Sequence, residues 1–538
     1  MKTLINRYKL FKRLSREIIN IFQSKKTETK EVDTKYSKIL FCPMNASQVN
    51  TLRESLIAEY CKNKGAENIF LFQKEKLSFS FYYKNSITYL SYIFKLKQNI
   101  QFVKKLGFKV YLAKSVDTKP TLKFSDVIKN KDDFHHFKYQ GIQIGDLILA
   151  DTIRTIQCPE PLWDNAEFLD LLEKAFDSAI KLFYSYQKTI EDNNPDKIVM
   201  SHGIYSLWGI LFRIARQKNI AVDVYNGSYR KNTLRMYHNV PNAPMPMHNW
   251  KLLKDKPLTN QEIQIVDDNL KSRKTQKNDN IKLFDDEDFK DLEFENFIKK
   301  AKKTNGKIAC AYANIAWDAY AFTGVLIFEN MMDWLEKTIQ YYIEHSNHYL
   351  IIKSHPVESI FNVPEPYRIK AFVNKFDLPD NIYFLDEYSK IKPFELYDII
   401  DFGIVNISTV SIEMALMGKT VITSGPGGQY SNKGFTVDPN SIEDYNEKLK
   451  NILNDSIDFK PDKDMAKRYL YFRFFKEAIP FNVVNLENVH YIEKLNFKSE
   501  KEFMNNQYMK ILGEGVLNDG SFILSTSSIQ NQLNIDPI

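Results

Sequence analysis

Apolar residues along this chain fall into two alternating patterns: short continuous runs, and longer stretches in which they recur every three or four positions. The runs suit strands buried on both faces of a parallel sheet, and the stretches suit helices packed by one face. From Lys38 the order is KILFCP as a strand, NTLRESLIAEYCKNKG as a helix ending at Gly65, and NIFLF as a second strand. A helix from about Ser86 to Leu106 leads through Gly107 to the strand FKVYLAK. An irregular segment containing GIQIGDLILADTIR precedes a long helix from about Ala166, and KIVMSHG, YSLWGILFRIARQKN and AVDVYNG then read strand, helix, strand. The alternation restarts at KIACAYAN and continues through HYLIIKSHP, IYFLD, PFELYDII and DFGIVN to a short helix that begins near Ser411 and closes at Gly418.

Strands and helices alternating at this spacing predict parallel sheets, and 538 residues are too many for one ordinary core. The expected fold class is therefore α/β with two Rossmann-like domains, 33–250 and 307–495. Between them, 251–306 is dense in Lys, Asp, Glu and Asn and reads as a charged linker; Asp285 and Asp286 within it read as solvated surface rather than a metal site. Residues 496–538 are expected to form an extension that is loose from about 515 onward. Residues 1–32 read as a basic amphipathic helix and tether, with Leu4, Tyr8, Phe11, Leu14, Ile18 and Phe22 at helical spacing. Such a helix suits an anionic inner-membrane leaflet, or alternatively the protein's own surface.

Charge location changes the picture. The net charge is +7, but residues 1–26 hold eight basic residues against one acid, so the remainder is neutral overall. A nucleic-acid partner would need a basic groove in the folded body, and none is expected. Cys42, Cys61, Cys158 and Cys310 are widely spaced, which argues against a zinc site or a disulfide framework and fits a reducing, cytoplasmic setting. No apolar run of about 18 residues appears, so no spanning helix is expected.

The candidate chemistry suits a phosphate. Ligands of parallel α/β sheets collect at the carboxyl ends of the strands, where His355, Pro356, Ser408 and Thr409 should all fall. A helix starting just after Ser408 and Thr409, with Ser411 in its first turn, offers backbone N–H groups and hydroxyls to an anion, and an imidazole on the neighbouring strand adds a donor. Capping alone would also explain the hydroxyls. Glu413 is placed to accept hydrogen bonds from ribose, or else to face solvent.

The order IIKSHP, NISTVSIEMALMGKTVIT, GQYSNKGFT, with ANIAWDAYAF upstream, resembles the capsule polysaccharide biosynthesis proteins over about residues 310–438. These are GT-B glycosyltransferases that include the bacterial Kdo-transferring capsule enzymes. The resemblance implies two Rossmann-like domains facing across a cleft, and donor-phosphate binding by His355, Ser408 and Thr409. It extends the expected donor site to Asn314, Trp317, Tyr430 and Lys433. CMP-Kdo is the donor it suggests, with CMP-sialic acid or a UDP- or GDP-sugar also compatible with these residues, and with no metal and no cofactor.

For the acceptor side, His202 at a strand end, Asp151 in GDLILAD and Asp318 are candidates for the catalytic base, and Asn45, Ser47 and Gln48 for acceptor contacts. Each is equally suited to capping a helix. The expected function is transfer of a sugar from a nucleotide-sugar donor to a capsule glycan or lipid-linked acceptor at the inner face of the cytoplasmic membrane. A glycerol- or ribitol-phosphate transferase of the teichoic-acid type, a sugar-nucleotide 2-epimerase and a non-catalytic scaffold of capsule assembly are the alternatives.

Overall fold

The apolar runs assemble into two separate sheets. The structure, a computed structural model, describes residues 2–23, 34–80, 82, 86–114, 122–129, 131, 133–243, 246–275, 291–318, 326–457, 459–488 and 491–535. Asp285 and Asp286 lie outside the described residues. The chain divides into two compact units, the first comprising Met1–Thr152, Trp163–Pro246 and Arg473–Pro537, the second comprising Ile153–Leu162 and Met247–Phe472.

In chain order, unit 1 carries α1 (Lys2–Gln23), β1 (Lys38–Met44), α2 (Gln48–Asn63), β2 (Glu67–Phe72), α3 (Ser86–Lys105) and β3 (Lys109–Leu112). Then come α4 (Gly145–Ile156), which runs on into unit 2, β4 (Lys197–Ser201), α5 (Tyr205–Gln217), β5 (Ala221–Gly227) and β6 (Thr233–His238). Unit 2 contains α6 (Asn260–Thr275), α7 (Leu292–Ala301), β7 (Ile308–Tyr312), β8 (Tyr349–Lys353), β9 (Ile382–Leu385), β10 (Phe402–Val405), α8 (Val410–Leu416), β11 (Thr420–Thr423) and α9 (Lys463–Tyr471). The chain then returns to unit 1 with β12 (Ile479–Pro480) and α10 (Gln507–Asn518).

The sheet of unit 1 has the order β12-β6-β5-β4-β1-β2-β3, parallel from β3 through β5, with β6 and β12 added antiparallel. Unit 2 has the wholly parallel order β9-β8-β7-β10-β11. Both contain the order in which the first strand of a unit lies beside its second and its fourth. That is the Rossmann arrangement, with its topological switch between β1 and β4 and between β7 and β10. β8 reads YLIIK and is buried at every position, as a strand covered on both faces must be.

Two stretches depart from the sequence expectation. The segment read as a charged linker is partly folded into unit 2: Phe294, Phe297, Ile298 and Ala301 of α7 join the core beneath β7 and β8. Their spacing is helical, but the acidic and basic residues between them disguise it. The carboxyl-terminal extension, expected to be loose from about 515 onward, packs on unit 1 instead. Gly513 of α10 lies against Tyr60 of α2, so close that a Cβ on it would fall 1.9 Å from the ring. Past α10, Asp519 meets the fully buried Lys197 at 2.7 Å, and Lys197 also meets Asp223 at 2.9 Å. Gly513→Ala is expected to cost about 1–3 kcal/mol by overpacking, read as a lower midpoint in urea.

For α1 the structure shows the second of the two expected placements, on the protein's own surface. From Phe11 onward its oily face is covered by the protein's own body: Phe11 packs edge-on against Phe102 at 5.9 Å and Phe22 against Phe503 at 5.1 Å, and Leu14 and Ile18 are buried, while the side chains of Leu4 and Tyr8 lie outside the described residues. Burial of each such side chain contributes roughly 1.5–3 kcal/mol, so this face is committed to the fold. Lys9, Lys12, Arg13 and Arg16 stay exposed. Among the described residues, no helix is long and apolar enough to cross a membrane.

Candidate functional site

At the carboxyl edge of the second sheet, Tyr312 of β7 stands between Lys353 of β8 and Val405 of β10. The loops that leave these three strands converge, because β7 and β10 diverge there to opposite faces of the sheet. The resulting cavity is walled by Asn314, by Lys353 to Pro356, by Ser408 to Val410, and by Glu413. Arg273 and Lys274 of α6, with Lys392 and Phe394, complete it. Asn314 ties the wall together, its side-chain amide donating to the carbonyl of Ile407 just before the Ser/Thr turn.

His355 has a defined tautomer. The backbone N–H of Val357 donates to its Nδ1 at 3.2 Å, so in the neutral ring the proton sits on Nε2. Burial, reinforced by the Lys353 ammonium beside it, holds the imidazole down at about 4. His355 is therefore an uncharged hydrogen-bond donor across the neutral range. Lys353 is itself almost completely buried, and burial brings its ammonium down to about 8. A group so placed is still a cation at pH 7 and gains most from a phosphate, which returns the charge partner that water no longer supplies.

Ser408 and Thr409 differ in role. Ser408 Oγ accepts the N–H of Val410 at 3.3 Å, which closes the turn, whereas the Thr409 hydroxyl makes no capping bond. α8 begins at Val410 and has seven residues, so its dipole is short and the donors nearest the cavity are local N–H and O–H groups. Glu413 is not open to ribose in this arrangement: Oε1 receives Arg273 at 2.6 Å and Oε2 the hydroxyl of Tyr397 at 2.7 Å. This pairing leaves the cavity's charge dominated by Lys274, Lys353 and Lys392.

The other residues expected at the site lie off this wall. Ser411 is fully buried within α8. The Trp317 ring is buried against Phe361 at 5.8 Å, and Asp318 is paired with Arg154. Tyr430 packs on Tyr469 at 6.0 Å, and Lys433 donates to the carbonyl of Ser431 at 2.6 Å and lies over the Tyr469 ring.

His202 and Asp151 belong to unit 1. His202 follows β4 in a left-handed conformation, φ 58°, a costly one for a residue with a Cβ. Its Nδ1 meets Ser201 Oγ and its ring lies 5.4 Å from that of Trp208. Asp151 is buried and accepts the N–H of Ser206 at 3.0 Å, which caps α5. Ser47 likewise caps α2, and its own N–H donates to Asn45. Asp146 pairs with Arg213.

Sequence reasoning missed four cations. Lys353 could have been found, since it ends a buried strand two residues before His355. Lys392 precedes a proline at a helix start, which gives it only weak notice. Arg273 and Lys274 carry no local signal at all, because they sit in sequence that looks like solvated linker.

Strand order and cavity together define an α/β protein with a cationic, donor-lined cavity at a Rossmann switch point. No family profile matches the chain, and no curated protein matches its sequence. Among solved structures it is similar to the KpsC β-Kdo 2,4-transferase of Thermosulfurimonas dismutans, at 11% identity and a TM-score of 0.34, over 54% of this chain and 82% of that one. For the β-Kdo 2,7-transferase of the same KpsC the figures are 11% and 0.31, over 59% and 90%. The UDP-GlcNAc 2-epimerase of Neisseria meningitidis, bound to UDP-GlcNAc, matches at 10% and 0.25, over 80% and 97%. The fold assignment rests on the strand orders rather than on these low scores.

Proposed function

We propose that the chain is a GT-B-type glycosyltransferase that moves a sugar from a nucleotide donor to a capsule or other surface glycan, or to its lipid-linked precursor, at the inner face of the cytoplasmic membrane. The observation that carries this reading is the convergence of a neutral Nε2–H donor on His355 with Lys353, Lys274, Lys392 and the Ser408–Thr409 turn at one strand edge. Departure of a nucleotide in sugar transfer leaves negative charge on its phosphate, and preorganised cations and donors stabilise that charge more in the transition state than in the ground state. CMP-Kdo is the donor that the sequence resemblance favours. In this reading His202, whose backbone is strained at the carboxyl edge of unit 1, is the first candidate for the acceptor base.

A thermal-shift panel of CMP, UDP, GDP and CDP tests the donor. CMP is expected to raise the melting temperature by mass action. A response to CDP alone would instead favour transfer of a phosphoalcohol, and no response to any of the four would sink the enzyme reading. The shift should weaken as pH rises through about 8, where free Lys353 loses its proton. Lys353→Met should bind weakly at all pH values and lack that dependence.

A further inference from the structure

We infer that the first half of α3 dips into an anionic phospholipid bilayer and seats the carboxyl edge of the unit 1 sheet on it. The geometry begins with the level of the helix. Gln48 Nε2 donates to Gln98 Oε1 at 3.2 Å and Asn99 Nδ2 to the carbonyl of Ser47 at 3.3 Å, so the middle of α3 stands beside the start of α2, at the carboxyl end of β1. Lys62, near the end of α2, donates to the carbonyl of Leu106, so the two helices run in the same direction. The dozen residues of α3 before Gln98 therefore carry it roughly 18 Å past that edge at 1.5 Å per residue.

The projecting part has two faces. Tyr92 and Leu96 point inward and are buried. Ile87, Leu90 and Phe94 point outward and are 80%, 68% and 54% exposed, an unusual exposure for three large apolar side chains spaced three and four apart. The same outward stripe continues as Lys97, Gln101 and Lys104, all exposed. Apolar groups thus occupy the far end and ammonium groups the near end, the order in which a helix entering a leaflet meets acyl chains and then headgroup phosphates.

Charge identifies the occupant. Lys97 lies one turn beyond Phe94, and the exposed Lys76 stands over the ring of Tyr89 at 5.2 Å, so ammonium groups flank the apolar tip. Cations set beside an apolar tip suit a surface of anionic headgroups better than an apolar protein groove. Phe11, Leu14, Ile18 and Phe22 of α1 do not serve, because they are buried in the body. The inference deepens the membrane placement proposed above and rests on it for the nature of the surface, but nucleotide binding does not enter it.

Co-sedimentation of the full chain with vesicles tests it. The wild type is expected to bind phosphatidylcholine vesicles containing phosphatidylglycerol and to bind pure phosphatidylcholine poorly. Leu90→Asp with Phe94→Asp should lower affinity for the anionic vesicles at least about tenfold. Lys97→Glu with Lys104→Glu should do the same and erase the lipid preference. Phe94→Trp, a milder change, should show quenching by brominated acyl chains beyond that of the wild type. Failure of the wild type to sediment, or unchanged binding by the Asp variant, or no added quenching, would overturn the proposal. Nucleotide-dependent thermal shifts, unaffected by these exposed substitutions, keep such a failure separate from failure of the donor site.

Discussion

His355→Ala should abolish the nucleotide-dependent thermal shift and lower kcat/KM for sugar transfer by about 10²–10³, the usual effect of deleting one preorganised donor to developing charge. His355→Gln should retain more activity than His355→Ala, because the ring acts as a neutral N–H donor and an amide can replace part of that role. The expectation follows from the bond between Val357 N–H and Nδ1, which fixes the proton on Nε2, and from burial, which holds the ring at about 4. A histidine so held binds no proton in the folded state between about 4 and its ordinary 6.5, whereas the unfolded chain does. Its contribution to stability is therefore fully present above 6.5 and lost as pH falls towards about 4. His355→Ala should flatten that part of the stability profile, measured by urea titration across the window. An activity limb near pH 6.5 that vanished in the variant would show the ring to be charged in function and would overturn the neutral-donor account.

Much of the fold is legible in the sequence because parallel strands are buried on both faces. YLIIK and KIACAY could hardly be anything else, and the loops that follow them inherit the strand edge as a ligand edge. The order of the strands is not legible, since it depends on which run pairs with which across long intervals. Amphipathic sequence reports that a face will be buried, but not against what: α1 has the pattern of a membrane helix, yet Phe102 and Phe503 cover it. The same limit explains α7, whose Phe294, Phe297 and Ile298 sit among charges that dominate the local composition. It also explains the carboxyl-terminal segment, whose anchors include the ion pair between Asp519 and Lys197, more than three hundred residues apart. At the site, His355 and the Ser/Thr turn are local motifs and could be read directly. Arg273 could not, because the carboxylate that holds it lies 140 residues away.

Glu413 separates the two readings of the cavity. A carboxylate at this position could serve ribose, but here one oxygen holds Arg273 and the other holds Tyr397, and Glu413 is only 4% exposed. Glu413→Leu removes one partner of a nearly buried ion pair and leaves a guanidinium and a phenol facing hydrocarbon. The expected loss is about 3 kcal/mol, a fall in melting temperature of roughly 10 °C for a unit of this size. Glu413→Gln keeps an acceptor for Tyr397 but not the charge for Arg273, and a smaller fall is expected. Arg273→Gln should be destabilising too, and combining it with Glu413→Gln should cost less than the sum of the two, with a coupling of more than about 1 kcal/mol. Were Glu413 instead a ribose ligand, Glu413→Gln would raise KM for the donor while the melting temperature and the coupling stayed near zero change. Because α6 reaches the cavity through this pair, loosening it should also weaken nucleotide binding by releasing Arg273 and its neighbour Lys274 together, so that KM and melting temperature move in step.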